Sequence, residues 1–271
     1  MYKTEDLTLN RTKIEIHYED FIEETNENTI LILHGWGGNS QSWLQVGELL
    51  FQAGFNVIIP DLPGFGKTSI NHVFELDDYV LVIEEFIHEL GLKNIILWGH
   101  SNGGAISIKL ANRGKIDISR LILNNSAGIR NDRKRNIKRK VLNKFTKIIK
   151  KLLTIIPPRK NWETGNKFIK TLRKLFYRAI GGQDYLNAEN NPYLKETYLN
   201  MIKSDLSDSI ASISQDTLLI RGQNDSYTPM SDGMYMRTKI VNSKIIILEN
   251  EKHGIHLTSP EKLVNTFLNN I

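Results

Sequence analysis

Short runs rich in Ile, Leu and Val recur along this chain, and longer amphipathic stretches separate them. The runs are "TKIEIHY" (12–18), "TILILH" (29–34), "FNVIIP" (55–60), "NIILWG" (94–99), "RLILNN" (120–125), "TLLIR" (217–221) and "KIIIL" (244–248). Most are continuously apolar, the pattern of strands covered on both faces. The first alternates apolar with polar residues and predicts an antiparallel edge strand. Between the runs, "DDYVLVIEEFIHEL" (77–90) predicts a helix capped by Asp77 or Asp78 and stopped by Gly91. "NGGAISIKLANRG" (102–114) predicts another. "SPEKLVNTFLNN" (259–270) predicts a third, with a Ser cap, Pro260 at the first helical position and Glu261 in the first turn. Strands alternating with helices restrict the chain to right-handed crossovers around a mostly parallel sheet.

This rhythm breaks once. From about 129 to 205 no strand-like run occurs, and helix patterns dominate. The break coincides with a shift in charge. Arg130 to Arg178 carries 18 Lys and Arg against two acids, Asp132 and Glu163, whereas the rest carries 17 bases and 28 acids. The expected architecture is therefore a core of 1–128 and 206–271 with a basic helical cap, 129–205, inserted at the C-terminal ends of the strands.

The stretch "ILWGHSNGGAIS" (96–107) turns abruptly from strand to helix at a serine flanked by glycines. Gly99-His100-Ser101-Asn102-Gly103 fits G-x-S-x-G, the pattern of a serine held on a tight corner with its hydroxyl exposed. An alkyl hydroxyl is a weak nucleophile at neutral pH. It needs an adjacent base, and a third group must orient that base.

The other parts fall at strand ends. "LHGWGG" (33–38) follows a strand, so its backbone amides lie at the sheet edge that carries Ser101. The amides of Trp36 and Asn102 are the candidates for an oxyanion hole, in which each donor is worth about 3–4 kcal/mol in the transition state. Asp225, in "LLIRGQNDSYTP", follows another strand, and Pro229 then opens a helix. The rival position, "NNSAG", offers Asn124 and Asn125 and no carboxylate. In "IIILENEKHGIHLTSPEKL" two histidines compete for the base. His253 stands in the loop directly after the strand, whereas His256 is nearer the helix and is expected to pack or line the pocket. His34 and His100, both at strand ends, read as structural residues that hydrogen-bond loops.

With "HGWGG", "DLPGFG", "GHSNGG", "RGQND" and "KHGIHLTSPEKL" in the order Ser, Asp, His, the chain resembles the α/β-hydrolase superfamily along nearly its whole length. It looks most like the single-domain esterase, C–C hydrolase and haloperoxidase-like group. The resemblance implies Ser101 as nucleophile, His253 as base, Asp225 as its orienting acid, and Trp36 with Asn102 as oxyanion hole. Dehalogenating and epoxide-opening members carry an aspartate at the elbow, where this chain has Ser101. The expected reaction is hydrolysis of a small-molecule carboxylic ester. Thioester or C–C cleavage by the same machinery is the alternative within the fold. A binding module or interfacial lipase that uses the basic cap on a membrane is the alternative from another class.

The cap patterns "VLNKFTKIIKKLLTIIP" (141–157) and "KFIKTLRKLFYRAI" (167–180) set apolar residues, Phe145 and Phe176 among them, opposite lysines. Such faces roof an active site or lie on an anionic membrane surface; the roof is the commoner use in a hydrolase cap. Basic groups interleaved with exposed aromatics are missing, so nucleic acid is not an expected partner.

Other motifs fail on inspection. "GFGKTS" (64–69) would need Gly where Asp61 stands to be a phosphate-binding loop, and "GWGGNS" ends on Ser40 where a dinucleotide fingerprint needs Gly. No histidine–carboxylate grouping reads as having metal spacing on one helix face, so neither a catalytic metal nor a cofactor is expected. Cysteine is absent, which removes thiol nucleophiles and disulfides. The first twenty residues lack an apolar leader segment, and no run of 18 apolar residues occurs. Cytoplasm is the default expectation.

Overall fold

Eight strands form one sheet in the computed structural model of the chain, which describes residues 2–9, 12–130 and 191–271. They are β1 (Tyr2–Leu9), β2 (Thr12–Phe21), β3 (Thr29–Leu33), β4 (Asn56–Pro60), β5 (Ile95–His100), β6 (Ile118–Asn124), β7 (Asp216–Gly222) and β8 (Ser243–Leu248). Their spatial order is β1-β2-β4-β3-β5-β6-β7-β8. β2 runs antiparallel to both β1 and β4, and every other pairing is parallel. The alternating run at 12–18 is thus antiparallel as expected but does not lie at the edge. β1 covers it, in a register that sets Leu7 opposite Ile14.

The described helices of nine or more residues are α1 (Leu44–Gln52), α2 (Leu76–Glu89), α3 (Asn102–Arg113), α4 (Pro192–Met201), α5 (Met230–Lys239) and α6 (Pro260–Leu268). The continuous apolar runs feed two cores because successive strand residues point to opposite faces. Leu31, Leu33, Leu97 and Leu121 join α2 and α3 residues on one face. Ile30, Ile32, Ile96 and Trp98 join Val46 and Leu50 of α1 and Leu263 and Phe267 of α6 on the other. Fully burying one such Leu or Ile is worth about 1.5–3 kcal/mol, so both faces contribute heavily to the fold.

Helix ends follow local chemistry with two differences from expectation. α2 begins one residue before Asp77, with Glu75 as its cap, and Asp78 accepts the Glu75 N–H at 2.7 Å. The acid expected to cap this helix instead completes a reciprocal box from inside it. α6 starts at Pro260, but the Ser259 hydroxyl donates to Glu251 Oε1 at 2.9 Å and makes no cap bond.

The chain divides into two compact units, Met1–Ile129 with Ala188–Ile271, and Arg130–Asn187. The first therefore resumes earlier than residue 206. α4 explains why: the Thr197 hydroxyl accepts from Phe74 N–H at 2.9 Å, and Met201 is buried in the core of this unit. The basic amphipathic patterns at 141–157 and 167–180 lie outside the described residues. Among the described residues, no helix is long and apolar enough to cross a membrane.

Candidate active site

Ser101 stands alone between the last residue of β5 and the first of α3, with φ +51° and ψ −115°. For a residue with a side chain this conformation costs on the order of 1–3 kcal/mol and persists only where neighbours hold it. The neighbours do. Ser101 N–H donates to Asn124 O at 3.2 Å, and Ser101 O accepts from Ala127 N–H at 2.9 Å. The flanking glycines are steric requirements. A Cβ on Gly103 would lie 2.1 Å from Leu33 O, and one on Gly99 would lie 2.5 Å from Ser107 Oγ.

The loop after β3 lies against this corner: a Cβ on Gly35 would come within 3.0 Å of Ser101 Cβ. Trp36 follows, its half-buried ring edge-on to Phe65 at 4.8 Å and to Tyr198 at 5.1 Å. Asn102 is the first residue of α3, where backbone N–H groups lack intrahelical acceptors and the helix dipole favours negative charge. The two nominated amides thus flank the serine, one on the loop that touches it and one next in sequence.

Across the sheet edge, His253 Nδ1 lies 2.8 Å from Asp225 Oδ2. A carboxylate only accepts here, so Nδ1 carries the proton and Nε2 is left as the basic nitrogen. Asp225 is built to stay ionised. Tyr227 N–H and Thr228 N–H donate to Oδ1 at 2.8 and 3.1 Å, and the Thr228 hydroxyl donates to Oδ2 at 2.6 Å. Burial alone would push its pKa up, but the hydrogen bond and attraction from His253, with the Thr228 donors, hold it below the ordinary carboxylate range.

Below this loop the Arg221 guanidinium is buried and donates to Ser126 O at 3.1 Å, Thr228 O at 2.6 Å and Pro229 O at 3.0 Å. It ties the segment bearing Asp225 to the one following β6. Sequence reasoning missed Arg221, Thr228 and Asn125; only the "RGQND" motif drew attention to that stretch.

The remaining histidines near the corner are buried and differ in use. His34 donates from Nδ1 to Gly35 O at 2.8 Å and accepts from Leu62 N–H at Nε2 at 2.9 Å, a satisfied structural residue. His256 packs on Trp43. His100 reaches the base itself: its Nε2 lies 3.0 Å from His253 O. Burial, with repulsion from His256 and His253, keeps His100 neutral by holding its pKa well below the usual imidazole value.

One grouping departs from expectation. On the outer face of α2, ligand atoms of Glu85, His88 and Glu89 lie within 4.8 Å of one another, because residues three and four apart share a helix face. The group is open to solvent and belongs to no part of the elbow.

A family model described as alpha/beta hydrolase fold matches residues 28–260. The chain is similar to the (E)-2-((N-methylformamido)methylene)succinate hydrolase of Acinetobacter baylyi, with 26% identity covering 96% of this chain and 94% of the relative. It is similar to the pimeloyl-[acyl-carrier protein] methyl ester esterase of Nitrosomonas europaea, at 26% over 91% and 97% of the two. The solved structure of a thermophilic esterase from Thermogutta terrifontis superposes with a TM-score of 0.71 at 21% identity, over 98% of this chain and 97% of that one.

Proposed function

Because the chain belongs to the alpha/beta hydrolase family, we propose that it hydrolyses a carboxylic ester through an acyl-enzyme on Ser101. One observation carries the reading: the His253–Asp225 pair, with the carboxylate held by four donors, is tied by hydrogen bonds to the corner that strains Ser101. Backbone strain alone would suit any tight turn, and a buried His–Asp pair alone would suit a core. Their convergence at one sheet edge suits nucleophilic catalysis.

In this reading Ser101 Oγ attacks the ester carbonyl and His253 Nε2 takes its proton. The N–H groups of Trp36 and Asn102 receive the oxyanion. The tetrahedral adduct collapses with cleavage of the C–O bond, and His253 gives the proton to the leaving alcohol. Water then attacks the acyl group, its proton passes through His253 to Ser101 Oγ, and the acid departs. Asp225 keeps the imidazole in the tautomer and orientation that both half-reactions need. The methyl ester esterase among the relatives supports an ester substrate, and the 2-hydroxy-6-oxononadienedioate/2-hydroxy-6-oxononatrienedioate hydrolase of Escherichia coli keeps C–C cleavage as the alternative of the same machinery.

A fluorophosphonate probe and a panel of p-nitrophenyl esters of graded acyl length test this directly. The expected result is one adduct, mapped to Ser101, and turnover lost in Ser101→Ala. An adduct on another residue, or turnover that survives in Ser101→Ala, overturns the reading.

A further inference from the structure

The carbonyl oxygen of His253 accepts from two side chains, one at the end of β5 and one just after β6. His100 Nε2 reaches it at 3.0 Å and Asn125 Nδ2 at 2.9 Å. A carbonyl cannot donate, so His100 carries its proton on Nε2. The other ring nitrogen is buried, has no hydrogen-bond partner among the described residues, and lies 2.8 Å from where a Cβ on Gly35 would stand. The ring is thus wedged between the loop after β3 and the loop after β8.

Asn125 is more fully engaged. Its N–H donates to Ile220 O at 2.9 Å and its Oδ1 accepts from Gly222 N–H at 2.9 Å. The second hydrogen of its Nδ2 reaches Lys252 O at 3.0 Å. Its backbone sits at φ +44°, a conformation that Asn and Asp tolerate better than other residues with side chains. Through this one side chain β7 and the loop after β8 are bonded together, and the backbone carbonyl of Asn125 lies 3.0 Å from the Thr228 hydroxyl that serves Asp225.

A turn that only needed fixing could be fixed anywhere along 249–254. Here both side chains converge on the peptide oxygen of the residue that carries the ring. A shift of that peptide carries Cα and Cβ of His253 with it, and a displacement near 1 Å in a catalytic group costs roughly a hundredfold in rate.

We propose that His100 and Asn125 are positioning residues that clamp the His253 carbonyl and so set the reach of its imidazole toward Ser101. The clamp rests on the reading of His253 as the base. It places no new group on the substrate. It assigns the invisible half of the base's geometry to the elbow residue before the nucleophile and to the strand end that lacks a carboxylate.

The test compares His100→Leu, His100→Gln and Asn125→Asp with the wild-type chain. Leu removes the donor, Gln retains an N–H near the same reach, and Asp keeps shape and the acceptor for Gly222 while removing the donor. The clamp predicts that His100→Leu and Asn125→Asp lower kcat by about 10- to 100-fold with KM within about threefold, since ground-state binding is untouched. Acylation by the fluorophosphonate should slow in parallel, and His100→Gln should recover most of the loss. Thermal melts establish that each variant is folded. Should His100→Leu fail to fold, Asn125→Asp decides. Wild-type kcat in folded His100→Leu and Asn125→Asp overturns the clamp while the adduct on Ser101 leaves the reaction standing. A wild-type chain with no Ser101 adduct overturns both.

Discussion

The imidazole of His256 lies flat on the indole of Trp43, with ring centroids 4.3 Å apart and planes 4° from parallel. Burial on this surface pushes the pKa of His256 down to about 3, and burial likewise pushes His34 down to about 4, from an ordinary value of 6.5. Both are neutral in the folded chain, whereas the unfolded chain protonates them below pH 6.5.

The sign follows from the proton count. Stability from these groups is fully present above pH 6.5 and drains as pH falls toward 4 and then 3, because the unfolded state binds more protons. Each histidine contributes a slope approaching about 1.4 kcal/mol per pH unit in that window. Urea midpoints measured from pH 7.5 to 5 should fall steadily, and His256→Gln should flatten the fall. Midpoints that do not change over that range would refute the assignment.

Ser101→Gly should make the protein more stable and inert. Glycine adopts φ +51° without the steric penalty, which predicts a gain of about 1 kcal/mol or more in denaturant unfolding. The same variant should show no ester turnover. A loss of stability would mean that the serine side chain holds the corner by contacts that outweigh its strain.

Asp225→Asn should leave the fold nearly intact and lower kcat by about three to four orders of magnitude, since an amide at this position favours the wrong imidazole tautomer. Thr228→Val removes the hydroxyl that donates to Oδ2 and also lies near the Asn125 carbonyl, and leaves the Thr228 N–H to Oδ1 in place. Its expected effect is a fall of about tenfold, consistent with one charge-assisted hydrogen bond. Steady-state kinetics on one p-nitrophenyl ester measures both, and near wild-type activity in Asp225→Asn would send the search to Asp205 or Asp232.

Arg221→Met should destabilise the chain by about 3 kcal/mol or more, because Ser126, Thr228 and Pro229 carbonyls would lose a buried charged donor. Arg221→Lys should not restore it, since an ammonium lacks the planar fork that spans three acceptors. Chemical denaturation of the two variants provides the check; full rescue by Lys would show that charge alone matters.

What could be read from the sequence was whatever is local. The seven apolar runs are strands, and α2, α3 and α6 follow periodicity and glycine stops. Asp225 and His253 could be picked because each follows a strand, and the structure sets them 2.8 Å apart. β1 escaped notice because "YKTEDLTL" is mostly polar; among its residues with described side chains only Leu7 is buried, and pairing with β2 supplies the rest of its order. α1 was missed between a glycine-rich loop and a strand. The roles of His100 and Asn125 were unreadable for a different reason: their partner is 153 and 128 residues away, and nothing local marks a side chain that bonds so distant a carbonyl.

The hairpin that hides β2 also decides what the sheet offers to other molecules. Among the described residues β1 is the rim of the sheet, where it presents Lys3, Glu5 and Asp6, with Lys3 paired to Asp20 of β2. An unpaired rim is a template on which a second chain can add its own strand, and alternating charge makes that addition unfavourable. Had β2 been the rim, its ladder of Ile14, Ile16 and Tyr18 would have stood open to polymerisation. The polar strand that sequence periodicity overlooks is therefore a guard against aggregation: neutralising Lys3, Glu5 and Asp6 together should leave the fold in place and shorten the time the protein stays dispersed at high concentration.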